Sequence, residues 1–176
     1  MARLKSRIAD VLERTSVSVV VLGPGEGNPH FQKRAAIRDH LSTRRSGDEV
    51  VFPEDIQDEE LRAAGLGRTE AELVKECDLI IALIPPDGGV SGVFTELTEF
   101  VRIPGFVERL HVLRPDSRAS SDASWGYAET RAYEVVDKSR FFDYPDVWWK
   151  ECNDLRAVVS QYVEDERSRK MAIDFA

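Results

Sequence analysis

Residues 78–100 read "DLIIALIPPDGGVSGVFTELTEF", and this stretch decides the fold. Leu79 to Ile84 is the most apolar run in the chain, short enough for a buried strand. The prolines and glycines from Pro85 to Gly92 make a turn. "VFTELTEFV" after it predicts a helix, because Val93, Leu97, Phe100 and Val101 fall at i, i+4, i+7 and i+8 and make one apolar stripe. Strand, glycine-rich turn and helix in that order are the unit of an α/β protein. On that helix Glu96 borders the apolar stripe, whereas Glu99 points well away from it toward water.

The same alternation extends on both sides. Upstream, Leu4, Ile8, Val11 and Leu12 predict a short amphipathic helix over 3–14. "SVSVVVL" (16–22) is continuous and β-branched, as in a central strand covered on both faces. "GPGEGNPH" (23–30) is a loop, and Phe31, Ala35, Ile37 and Leu41 predict a helix over 31–43. "DEVVFPEDI" gives a short second strand stopped at Pro53, and Thr69 with Glu72 forms a capping box for a helix ending near Cys77. Downstream come a fourth strand in "RLHVLRP", a helix in "ETRAYEVV", a short fifth strand in "RFFDYP" and a long final helix over 146–167. No repeat and no long linker divides the chain. The pattern predicts one α/β domain over 1–176, its core in 16–145, with a mainly parallel sheet of four to five strands between helical layers.

Composition narrows the partners. With 32 acidic against 24 basic residues the formal charge is −8, which disfavours a nucleic-acid partner but leaves room for a local pocket for one nucleotide. No apolar run approaches the roughly 20 residues that cross a bilayer, and no signal-peptide core opens the chain. Cys77 and Cys152 have no metal-ligand spacing, and His30, His40 and His111 are scattered, so neither a metal nor a disulfide is expected. The reading is a cytoplasmic protein with no cofactor. Homo-oligomerisation stays open: Trp148 and Trp149 beside Phe141 and Tyr144 read as packing of the last helix or as a dimer face.

In parallel sheets ligands sit beyond the carboxyl ends of the strands, near the switch in strand order. Three loops meet that description, at 23–30, 53–58 and 85–92. Gly23, Gly25 and Gly27 free the backbone to approach a ligand, and the helix after them presents amides to an anion, with Lys33 and Arg34 at hand or simply solvated. Without a ligand the same loop is a flexible turn. It matches neither G-x-G-x-x-G nor G-x-x-x-x-G-K-[ST], so a dinucleotide dehydrogenase or P-loop NTPase is poorly supported. There is no G-x-S-x-G elbow for serine catalysis. Residues 114–129 read as a mobile loop that carries Trp125 and Tyr127, and the terminal "EDERSRK" as a solvated helix face.

"SGVFTEL" resembles the G-T-x-x-E-[IL] segment of nucleoside 2-deoxyribosyltransferases, with Gly92 four residues before Glu96. It is also similar to the segment of Toll/interleukin-receptor (TIR) domains bearing the glutamate that cleaves NAD. Gly88, Gly89, Gly92, Val93 and Glu96 echo the P-G-G-x-G-T-x-x-E turn of cytokinin-activating phosphoribohydrolases. The resemblance spans roughly residues 17–113. Val93 stands where these families have threonine, Ser91 where the transferases have aspartate, and no W-C precedes Glu96. The shared implication is cleavage of an N-glycosidic bond on a TIR-like or flavodoxin-like three-layer α/β/α fold, with Glu96 as nucleophile or stabiliser of the sugar cation. Gly23, Pro24, Gly25, Gly27 and Phe31, then Pro53 and Glu54, then Asp87, Gly88 and Ser91 are expected to hold base, ribose and phosphate. Asp87 or His30 is a candidate proton donor or a solvated turn residue. NAD is the first substrate expected, a nucleoside or nucleoside monophosphate the second. The rival is a module that binds a nucleotide or a protein without chemistry.

Overall fold

The structure is a computed structural model. It describes Val11 and residues 15–56, 70–85, 91–116, 140–145 and 153–174, and within 91–96 the backbone together with the Val93 side chain. Five strands, β1 (Ser18–Leu22), β2 (Glu49–Val51), β3 (Leu79–Leu83), β4 (Leu110–Pro115) and β5 (Phe141–Tyr144), form one sheet in the order β2-β1-β3-β4-β5. Every neighbouring pair is parallel, as in a flavodoxin-like doubly wound fold. The helices are α1 (Phe31–Ser42), α2 (Glu70–Glu76), α3 (Ser91–Phe100), the single turn α4 (Phe106–Arg109) and α5 (Asn153–Asp174).

Alternation along the strands builds two cores. Val20, Leu22, Ile80, Ala82, Ile84 and Val112 face α2, α3 and α4, through Leu73, Val93, Leu97, Phe100 and Phe106. Val19, Val21, Ile81, Leu83 and Leu113 face α1 and α5, through Ile37, Leu41, Leu155, Val159 and Val163. Right-handed crossovers explain the split. The chain moves from β1 outward to β2 in one direction and from β3 to β4 in the other, so α1 and α3 must cover opposite faces. β3 is buried along its whole length, which is why its sequence shows no alternation.

The final helix differs from its expectation. It runs to Asp174, seven residues past the predicted end, and "EDERSRK" is only in part a solvated face, with Asp165, Ser168 and Arg169 exposed but Arg167 buried. Arg167 is 1% exposed and pairs with Asp48 at 2.6 Å, while Lys170 reaches Asp78 at 2.7 Å. These charged anchors carry no apolar period, so the pattern ended at Arg167 and gave no sign of its burial or of the role of Lys170. Most of the lead-in helix over 3–14, Thr69 of the capping box, the helix in "ETRAYEVV", Trp125, Tyr127, Trp148, Trp149 and Cys152 lie outside the described residues.

Candidate functional site

Where neighbouring crossovers leave toward opposite faces, the carboxyl edge of a parallel sheet opens a crevice. That point lies between β1 and β3. Gly23 follows the last residue of β1, and a Cβ built on it would stand 3.4 Å from Cβ of Leu83 and 3.1 Å from Cδ of Arg34. Glycine is therefore needed here for close approach. The ends of β1 and β3 and the first turn of α1 meet at this backbone.

Arg34 organises the edge. It is 2% exposed, so of the two readings the sequence left open for it the solvated one does not hold. Its Nε donates to the Val21 carbonyl at 2.9 Å, and one terminal nitrogen donates to the Pro24 carbonyl at 3.4 Å. The same fork grips Glu54, at 2.5 Å to Oε1 and 2.8 Å to Oε2. Beneath it lies Phe52, whose ring centroid is 4.0 Å from the Arg34 guanidinium and 4.2 Å from that of Arg38, one turn further along α1. Arg38 approaches Asp55 at 3.6 Å, and Asp55 accepts the Phe52 amide at 2.8 Å. Phe31 meets the Phe52 ring edge-on at 5.8 Å. The 3-10 turn Pro53–Ile56 is thus fastened to α1 and, through Arg34, to the glycine loop. A bidentate Arg–carboxylate pair with one buried partner holds its geometry far better than a surface pair.

The structure therefore brings together Gly23, Pro24, Phe31, Pro53 and Glu54. Gly25 and Gly27 belong to the same loop, and among the described residues nothing lies within 4 Å of a Cβ built on either. Gly27 adopts φ +90°, which favours glycine. The expectation that α1 offers its first amides to an anion needs correction. The His30 amide donates to the Asn28 side chain at 2.8 Å, the Phe31 amide to the Asn28 carbonyl at 3.0 Å and the Lys33 amide to the His30 carbonyl at 3.0 Å. The turn itself consumes these donors. Asp87 and Gly88 lie outside the described residues.

Ser91 opens α3, so Glu96 is its sixth residue and no acidic residue occupies the first turn. A helix beginning at Val93, as "VFTELTEFV" predicts, would hold Glu96 in its first turn, where the dipole favours an anion; with Ser91 as the first residue that effect has faded at Glu96. The predicted stripe is present, with Val93, Leu97 and Phe100 buried and Glu99 exposed.

The remaining reactive groups stand elsewhere. His111, near the amino end of β4, stacks on Tyr162 at 3.8 Å, and burial with the nearby Arg140 charge lowers its pKa to about 4. His40 faces Ser160 of α5 at 2.9 Å, and burial lowers its pKa too. Cys77 is buried with its thiol pushed up to about 12, chiefly by desolvation, hence unreactive. Among the described residues no cluster of His, Cys, Asp and Glu suits a metal ion, and no helix is long and apolar enough to cross a membrane. Sequence reasoning named Arg34 as a helper beside the loop but missed its burial and its pairing with Glu54. Its only signal was a second arginine four residues on, facing the adjacent acids Glu54 and Asp55, and that pairing is tertiary.

No family model and no curated protein matches the chain. Among solved structures, a conserved protein from Enterococcus faecalis V583 superposes with a TM-score of 0.46 at 17% identity, over 83% of this chain and 98% of that one. A likeness of that size carries no function across.

Proposed function

We propose that the chain cleaves the N-glycosidic bond of a nucleotide, with NAD as first substrate, a nucleoside or nucleoside monophosphate as second, and Glu96 as the carboxylate at the reacting carbon. The observation that carries this reading is the convergence at Gly23 of the ends of β1 and β3, with Glu54 held at the same edge by Arg34. Doubly wound sheets bind nucleotides at this place. The resemblance of the segment from Gly92 to Glu96 to N-glycosidases supplies the chemistry, and α3, which carries Glu96, follows directly on the loop from β3.

Breaking C1′–N sends both bonding electrons to the base and leaves positive charge on the sugar. A carboxylate at C1′ stabilises that charge or bonds to it, and water then takes the carbon and releases a proton. Nicotinamide leaves NAD as a neutral molecule and needs no acid. We place the protein in the cytoplasm, where the free Cys77 stays reduced.

The test is release of free base from NAD, AMP and adenosine, with Glu96→Gln and Glu99→Gln beside the wild type. Glu96→Gln should lower turnover by about 10²–10³-fold or more with the fold intact, and the exposed Glu99→Gln should change little. Binding without any base release would reduce the reading to a nucleotide-binding module. Equal losses from the two variants would remove Glu96 from the chemistry.

A further inference from the structure

We propose that Glu54, gripped from behind by Arg34, accepts hydrogen bonds from the 2′- and 3′-hydroxyls of a ribose, so that this edge takes ribonucleotides and discriminates against their deoxy counterparts. The inference rests on the nucleotide reading above and assigns one part of the ligand within it.

An ionised carboxylate only accepts, and its two oxygens offer about four lone-pair sites. Arg34 fills one on each oxygen, at 2.5 and 2.8 Å. The Glu54 side chain is 36% exposed whereas that of Arg34 is 2% exposed, so the guanidinium covers one side of the carboxylate and the other side meets solvent. What settles on the open side must donate. A cis-diol presents two O–H donors at a spacing close to that of the carboxylate oxygens, and an acidic residue after the second strand is a recurrent ribose acceptor in dinucleotide-binding sheets. Phosphate is disfavoured on two counts. It would face the Glu54 charge, and Arg34 already commits four of its five N–H donors to Val21, Pro24 and Glu54.

The site is also preorganised. Glu54 is one residue past Pro53, in a turn whose Phe52 ring is stacked against two arginines of α1, so little side-chain freedom remains to be lost on binding. The carbonyl of Pro24 and the carboxylate of Glu54 share one guanidinium nitrogen, which puts the ribose acceptor beside the glycine loop.

Calorimetry of the wild-type protein with AMP, 2′-deoxy-AMP and 3′-deoxy-AMP tests this directly. Hydrogen bonds to charged groups are stronger than neutral ones, and solvent access puts this one at the low end of their range. Each deoxy compound should therefore bind about ten-fold more weakly than AMP. In Glu54→Gln the advantage of AMP over both deoxy compounds should collapse, and 2′-deoxy-AMP should itself weaken because its remaining 3′-hydroxyl loses the same acceptor. Equal binding of all three to the wild type would overturn the inference and leave the nucleotide reading standing. An AMP advantage that survives in Glu54→Gln would overturn it as well, because the discrimination would then lie elsewhere. Failure of all three to bind would sink the inference together with the reading it rests on. The wild-type comparison holds whether or not the variant folds.

Discussion

The two edges of the sheet use the same chemistry to opposite ends. At the amino edge, Asp48 accepts the Val17 amide at 3.0 Å and the Arg167 guanidinium at 2.6 Å, and Arg167 also donates to the Thr15 carbonyl. Asp78 accepts from the Ser18 amide and hydroxyl and from Lys170. Here the last helix bolts its charges to the starts of the strands, and Asp48 is covered along with its arginine, at 5% and 1% exposure. At the carboxyl edge the arginine is as deeply buried, but Glu54 is left half open beside three glycines. A charge pair closed on both sides can only hold the chain. One closed on a single side holds the chain and still has acceptor capacity to offer.

The largest effect should come from breaking the closed pair. Arg167→Met keeps the helix but strands Asp48 in the interior, which typically costs about 3–5 kcal/mol. For a chain of this size that lowers Tm by roughly 10 °C. Glu54→Gln at the other edge should cost much less, because its open side stays solvated and the amide oxygen still accepts from Arg34. Urea unfolding of both variants measures the contrast. Equal losses would show that exposure does not separate the two edges.

Two glycines sharpen the comparison within the carboxyl edge. Alanine at 23 puts a methyl group 3.1 Å from the Arg34 stem, and that stem cannot swing aside while its fork is pinned to Val21, Pro24 and Glu54. Gly23→Ala should therefore destabilise by about 1–3 kcal/mol and disturb the AMP preference through Glu54. Gly25→Ala meets open space among the described residues, at ordinary backbone angles, and should stay within about 0.5 kcal/mol of the wild type. Thermal melts with calorimetry check both. Similar costs at 23 and 25 would mean that loop entropy rather than close approach governs the edge.

The central layer was legible because its strands are covered on both faces. Continuous apolar runs at 19–22 and 79–83 are what that burial demands, and the stripe of Val93, Leu97 and Phe100 marked α3 in the same way. The neighbourhood of the carboxyl edge was legible too, since strand ends and glycine loops follow from the alternation. What stayed hidden were the charged residues that behave as core. Arg34 and Arg167 carry no apolar signal, and their partners Glu54 and Asp48 lie 20 and 119 positions away, so their burial is decided only when the sheet is assembled. The start of α3 also differs from its expectation, whereas those of α1 and α2 agree. The glycines and Ser91 hid the first turn of α3, which shifted Glu96 away from the dipole.

The smaller of the two amino-edge effects belongs to the pair of Lys170 and Asp78, and its pH dependence shows why. Lys170 and Asp78 lie 2.7 Å apart but are 31% and 21% exposed, so Lys170→Met should cost about 1 kcal/mol at pH 7. Burial alone would raise the Asp78 pKa, yet the Lys170 and Ser18 hydrogen bonds outweigh it and hold the carboxyl below its ordinary value. A depressed carboxyl stabilises the fold at pH above the unfolded pKa, and that contribution disappears as pH falls through the folded one. The penalty of Lys170→Met should therefore be full at pH 7 and shrink below pH 4, as Asp78 takes up its proton in the variant first. Urea curves of both proteins at pH 7 and pH 3 measure this. A penalty independent of pH would assign the role of Lys170 to its bond with the Ser16 carbonyl and to the packing of its stem, and Asp78 would then be held by Ser18 alone.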